Sequence, residues 1–213
     1  FTTPLKNPVN DASSMAHTLE LQGFKVIKIE NATGKEMKMA IDNFGRELGD
    51  YDVGLFYYAG HGIQDKGLNY LVPTDADLKS EAQIDYDCVQ ANRIVSFMEV
   101  AGTDVNIIIL DACRNNPFKS SWSRSTTSDG LVFMNAPTGT LIAYATAPGM
   151  TAADGSGNNG LYTESLLGEI NNPDLTILQV FQRVRARVAD LSAKKQIPWE
   201  STSLIGDFYI GKN

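Results

Sequence analysis

The chain has 213 residues, 43% of them hydrophobic and 20% charged, a balance that suits a globular chain with a full core, organised as one domain over residues 1–213. Eighteen Lys and Arg against 25 Asp and Glu leave a net charge of −7 and a pI near 4.8. That argues against nucleic acid, whose binding rests on basic residues neutralising phosphates, and favours basic peptides or cations as partners. No apolar run approaches the ~18 residues of a membrane span. Two cysteines, Cys88 and Cys113, make no disulfide framework, and free thiols in a reducing, cytoplasmic setting are the expectation. The chain opens at Phe1 without a Met, so the absence of a leader carries no information.

In chain order, apolar spacing predicts a helix over 8–22, a short strand over Phe24 to Ile29 and a helix over Lys35 to Leu48, with Met37, Ala40, Ile41 and Phe44 inward. Val53 to Ala59 has the continuous apolar character of a strand buried on both faces. A shorter strand over Asn69 to Val72 precedes a helix over Val89 to Val100. Asn106 to Leu110 is the strongest buried-strand signal, and Thr140 to Thr146 is another. Helices follow at 161–171 and 175–191, the second with Ile177, Phe181, Val184, Val188 and Leu191 at helical spacing, and Ile205 to Ile210 forms a last strand. This alternation predicts an α/β three-layer sandwich, a mostly parallel central sheet with helices on both faces. Two polar stretches, 119–130 and 147–160, follow strands, on the edge where open α/β sheets place their ligands.

His61 and Cys113 both follow buried strands, VGLFYYAG and NIIILDA, so both stand at one carboxyl edge of the sheet. A thiol beside a base becomes a nucleophile, and the imidazole can protonate a leaving amine. The glycines flanking His61 allow close backbone approach, and the N–H groups of Gly62 and Cys113 are suited to an oxyanion.

The stretches YYAGHG and DACRN resemble those of the caspase-like cysteine peptidases, the clan of caspases, metacaspases and paracaspases. The caspase signature Q-A-C-[RQG]-G has its histidine about 50 residues upstream; here the separation, from 61 to 113, is 52. The likeness extends through LVPTDADL, IAYATAPG and KQIPWESTSLIGDFYI, and is nearest the bacterial and paracaspase-like branch. It implies the caspase-like sandwich and a His61–Cys113 catalytic dyad. It also implies proteolysis without an obligatory cofactor, and a monomer or homodimer acting on polypeptides. Two departures stand out. The family fold opens with a central strand before the first helix, and this sequence begins after it, so that strand is either missing from the chain or provided by a separate piece; and Asp111 replaces the caspase glutamine.

Residues two apart on a strand point the same way, so Asp111 lies near Cys113. A bare carboxylate there would raise the thiol pKa, but a substrate cation covering it removes the objection. Metacaspases and paracaspases carry an aspartate at this position and cleave after Arg or Lys. By the same resemblance, Asp11 joins it in the specificity pocket and Asp154 supplies a third carboxylate. A P1 Arg or Lys side chain is therefore expected. The plain alternatives are that Asp11 caps the first helix and Asp154 is a solvated loop acid. Lys119 and Arg124, in the polar stretch after Cys113, would suit that specificity as self-cleavage sites in an intersubunit linker. The backbone of 142–147 is expected to pair with substrate by strand addition.

Several other signals carry less. Gly155 to Gly160 spells G-x-G-x-x-G, but eight residues separate it from Ala147, so a substrate-pocket loop is the better reading than a dinucleotide site. Cys88 suits a small apolar position, His17 lies off the core face, and Arg183, Arg185 and Arg187 suit a solvated helix face. The histidines and cysteines are too few and scattered for zinc. Asp85 and Asp87 could bind Ca2+, as metacaspases do, although no dedicated calcium loop is present. The rival to a peptidase is a silent caspase-like interaction module that assembles through Ile205 to Ile210.

Overall fold

The fold is built outward from three consecutive isoleucines, Ile107, Ile108 and Ile109, each wholly buried. β-branched side chains favour extended backbone and alternate across a sheet. Ile107 and Ile109 accordingly enter one core and Ile108 the opposite one. The structure is a computed structural model that describes residues 5–113, 131–147, 150 and 157–211, with the backbone alone at Cys113.

The isoleucines lie in β4 (Val105–Cys113), which pairs in parallel with β1 (Val53–Asp65) on one side and with β5 (Thr140–Tyr144) on the other. β2 (Leu68–Leu71) returns antiparallel on the far end of β1, β3 (Val89–Gln90) adds to β2, and β6 (Trp199–Thr202) runs antiparallel along β5. The order is β3-β2-β1-β4-β5-β6. Helices cover both faces, as the alternation predicts. On one face Met15 of α1 (Pro8–Leu21), Leu166 of α5 (Leu161–Ile170) and Val184 of α6 (Ile177–Leu191) pack on the sheet. On the other lie Ile41 of α2 (Gly34–Glu47) and Met98 of α4 (Asn92–Ala101); a single turn, α3 (Ile84–Asp87), precedes β3. Local signals set the helix starts. Thr33 with Glu36 and Thr176 with Gln179 form capping boxes for α2 and α6, and Pro8 opens α1, where no N–H is needed.

Four sequence expectations need correction. Residues 24–29 are not a strand, because a strand needs a partner and no described strand pairs with them. In their place a groove of about 810 Å³ runs along β1, between the α1 and α2 layers, lined by Met15, Leu19, Val26, Ile41, Phe44 and Leu55 among others. The helix predicted from Val89 begins at Asn92, since Val89 and Gln90 complete the sheet. Ile205 to Ile210 is not a strand: Gly206 has φ 91°, and the Phe208 carbonyl accepts the Ile177 N–H at 2.7 Å, so this segment packs under α6. β5 ends at Tyr144 and is paired on both edges from Leu141 to Tyr144, which leaves no free edge at 142–144 for strand addition by a substrate. A smaller correction concerns Leu191, which is exposed.

His17 is exposed, and Arg183 and Arg185 are exposed and paired with Glu169 and Glu200. Cys88 is a free thiol, 2% exposed, packed with Ile63, Tyr70 and Ile84. Burial, aided by the negative charge of Asp87, pushes it up to about 12. At pH 8 it is therefore a neutral thiol, and only the thiolate reacts. Iodoacetamide at pH 8 should leave the Cys88 peptide unmodified in the native protein and alkylate it fully in urea, as read by peptide mass spectrometry.

Candidate active site

β1 and β4 are in register from Val53 opposite Val105 to His61 opposite Cys113. Neighbouring strands lie about 4.8 Å apart, so the two backbones meet side by side at this point. The backbone of His61 is clamped. Its carbonyl accepts the Val72 N–H at 3.0 Å and the Tyr58 hydroxyl at 2.8 Å.

β1 does not end at the histidine, as the flanking glycines suggested. It continues to Asp65, with Gly62 opposite Leu71. Because Val72 donates to His61, the 61–72 pair is the hydrogen-bonded one and 62–71 the non-bonded one, as antiparallel ladders alternate. The Gly62 N–H is thereby aimed away from β2, toward the side on which Cys113 ends β4. A side chain at Gly62 would meet Leu131 Cδ2 at 2.9 Å and Ala112 Cβ at 3.0 Å, so the position admits only glycine without a shift.

Asp111 lies on the same parity of β4 as Ile107 and Ile109, hence on the face covered by α1 and α5. There it accepts a hydrogen bond from the Thr163 hydroxyl at 2.6 Å, and that hydroxyl is 2.6 Å from the Tyr57 hydroxyl. Asp11, 3% exposed, sits in the first turns of α1, but it is not the cap: that position is Asn7. Its Oδ1 instead accepts the backbone N–H of Gly160 and the side-chain amide of Asn159, each at 2.9 Å. Asn159 also reaches the Ser14 hydroxyl at 3.2 Å.

Gly160 is the N-cap of α5, so Asp11 lies where the helix amides and dipole favour an anion. A Cβ at Gly160 would stand 3.2 Å from Asp11 Oδ2 and 3.6 Å from Asp111 Oδ2. The two oxygens are thus at most 6.8 Å apart, the sum of those distances. Gly160 has φ −62°, open to any residue, so what the glycine supplies is room between the acids.

The negative field of this corner reaches its neighbours. Burial, then the charges of Asp111 and Asp11, push the Tyr57 hydroxyl well above its ordinary range, and burial and Asp111 do the same to Tyr162. Both remain neutral hydroxyls at physiological pH. The fold therefore brings Asp11 and Asp111 together, and His61 opposite Cys113. Asp154, Lys119, Arg124 and the 119–130 linker lie outside the described residues, as do residues 151–156 of the glycine-rich loop.

No spacing in the sequence singles out Tyr57, Asn159, Gly160 or Thr163 as site residues. The signals near them are YYAGHG, which Tyr57 opens, and the glycine-rich loop, of which Asn159 and Gly160 are the last two residues. Among the described residues no group of three or more His, Cys, Asp or Glu could hold a metal ion, and Asp85 accepts the Tyr70 hydroxyl at 3.1 Å. No helix among them is long and apolar enough to cross a membrane.

The chain is 34% identical over 110 residues to human "mucosa-associated lymphoid tissue lymphoma translocation protein 1". It is equally similar to the mouse homologue, and in both cases the match covers 52% of this chain and 13% of the relative. The family model described as the caspase domain matches residues 1–209. With that match spanning nearly its whole length, and with the caspase-like sandwich it adopts, the chain belongs to the caspase domain family of cysteine peptidases.

Proposed function

We propose that the protein is a cysteine endopeptidase that cleaves after Arg or Lys, using Cys113 and His61. The observation that carries this reading is the convergence of Asp11 and Asp111 on Gly160, on the helix-covered face at the end of the strand that carries the thiol. Two carboxylates from separate elements repel one another unless a cation joins them, and a guanidinium or ammonium of a P1 side chain is that cation. The resemblance to paracaspases implies Asp154 as a third acid of the same pocket. The resemblance to paracaspases, which carry an aspartate at the position of Asp111, agrees.

In the reaction, the Cys113 thiolate attacks the scissile carbonyl carbon and a C–S bond forms. The carbonyl electron pair moves onto oxygen, where the N–H groups of Gly62 and Cys113 receive the charge. As the electron pair returns, the C–N bond breaks and His61 gives its proton to the leaving amine. Water then attacks the thioester while His61 takes its proton, releasing the acid and the thiolate. No step needs a cofactor. Polypeptides are the substrates, handled by a monomer or homodimer in the cytoplasm.

Short fluorogenic peptides ending in Arg, Lys or Asp test the proposal. Turnover of the Arg and Lys peptides and none of the Asp peptide is expected, and preference for Asp would remove the acidic pocket. Cys113→Ala and His61→Ala should each abolish turnover. Asp111→Asn should lower kcat/KM on the Arg peptide, raising the barrier it reports by about 2–5 kcal/mol, as loss of one partner of a desolvated charge pair does. Gly62→Ala should lower kcat by a factor on the order of 100 while the Arg preference persists, because the new methyl displaces an oxyanion donor. The same specificity directs self-cleavage to Lys119 or Arg124; intact mass after prolonged incubation should show two fragments for the active chain and one species for Cys113→Ala.

A further inference from the structure

The two acids are held very differently from surface carboxylates, and the holding groups lie outside the dyad. Thr163 is wholly buried, so its single hydroxyl hydrogen must serve a protein acceptor, and it goes to Asp111 Oδ2 at 2.6 Å. Its oxygen then faces the Tyr57 hydroxyl at 2.6 Å. Thr163 has no second hydrogen to offer, so Tyr57 donates to Thr163 and Thr163 donates to Asp111. The direction is unique: a one-way row of O–H dipoles aimed at a carboxylate. On the opposite wall, Asn159 and the Gly160 N–H aim two more donors at Asp11 Oδ1.

We propose that Thr163, backed by Tyr57, is the positioning residue that sets P1 specificity: it fixes the Asp111 carboxylate across the gap left by Gly160, so that the pocket meets a P1 cation already oriented. This rests on the proposed basic-P1 reading of the same pocket. Hydrogen bonds to a carboxylate favour its charged form and fix its rotation, so their loss weakens binding of a cation far more than binding of a neutral isostere. A charged hydrogen bond of this kind is worth on the order of a tenfold change in affinity or more.

The test compares a peptide with P1 arginine to the same peptide with P1 citrulline, which keeps the shape and loses the charge. The wild-type protein should prefer arginine strongly. Thr163→Val should raise KM for the arginine peptide about tenfold with kcat little changed, and change the citrulline peptide by less than twofold. Thr163→Ser, which restores the hydroxyl, should recover the wild-type ratio. Tyr57→Phe, which keeps the ring and removes only the donor, should cause a smaller loss of the same kind, about threefold, and carries the test if Thr163→Val does not fold. Equal losses on both peptides, or no loss, would overturn the positioning role while leaving the basic-P1 reading standing. A wild-type protein indifferent to arginine and citrulline would overturn both.

Discussion

The parallel pairing of β1 with β4 is the constraint from which the rest follows. Nine successive pairs, Val53–Val105 to His61–Cys113, fix where each strand ends relative to the other. In a sheet a shift of one residue would turn every side chain to the opposite face. Here it would move the isoleucines into the wrong cores and separate His61 from Cys113 at once. The register that satisfies hydrophobic burial and the register that sets His61 opposite Cys113 are one register. Packing sets that juxtaposition.

The same parity reaches the acids. Tyr57, Ile107, Ile109 and Asp111 belong to the face covered by α1 and α5, so the core that stabilises the sheet also delivers a carboxylate to the helix starts. Burying that charge is costly unless donors receive it. For Asp111 that donor is the Thr163 hydroxyl, backed by Tyr57, and for Asp11 the donors are the Gly160 N–H and the Asn159 side-chain amide. Gly62 and Gly160 perform related work by omission: each leaves space where backbone or carboxylate oxygen must remain approachable.

What could be seen in the sequence was governed by distance along the chain. The apolar run of β4 and the capping residues of α2 and α6 are local signals, and the structure matches them. Gly60 and Gly62 looked like the end of a strand, but glycine within a strand also marks close packing, and β1 runs through both. Residues 24–29 have strand composition without a strand neighbour, which no local pattern can reveal. Asp11 and Asp111 became legible as a pair only through a family resemblance. Their partners Gly160 and Thr163 are 149 and 52 residues away, and a lone glycine or threonine in a helix start announces nothing.

The groove beside β1 has a thermodynamic consequence. About 810 Å³ of space between the two helical layers leaves the apolar side chains of Phe24, Val26, Phe44 and Leu55 only partly buried. Denaturant sensitivity and the heat capacity of unfolding both scale with the surface that unfolding newly exposes. Surface already wet in the native state adds to neither. The folded chain therefore carries a shallower stability curve and a smaller m-value than its 213 residues would otherwise set, and whatever fills the groove steepens both while raising the melting temperature by mass action.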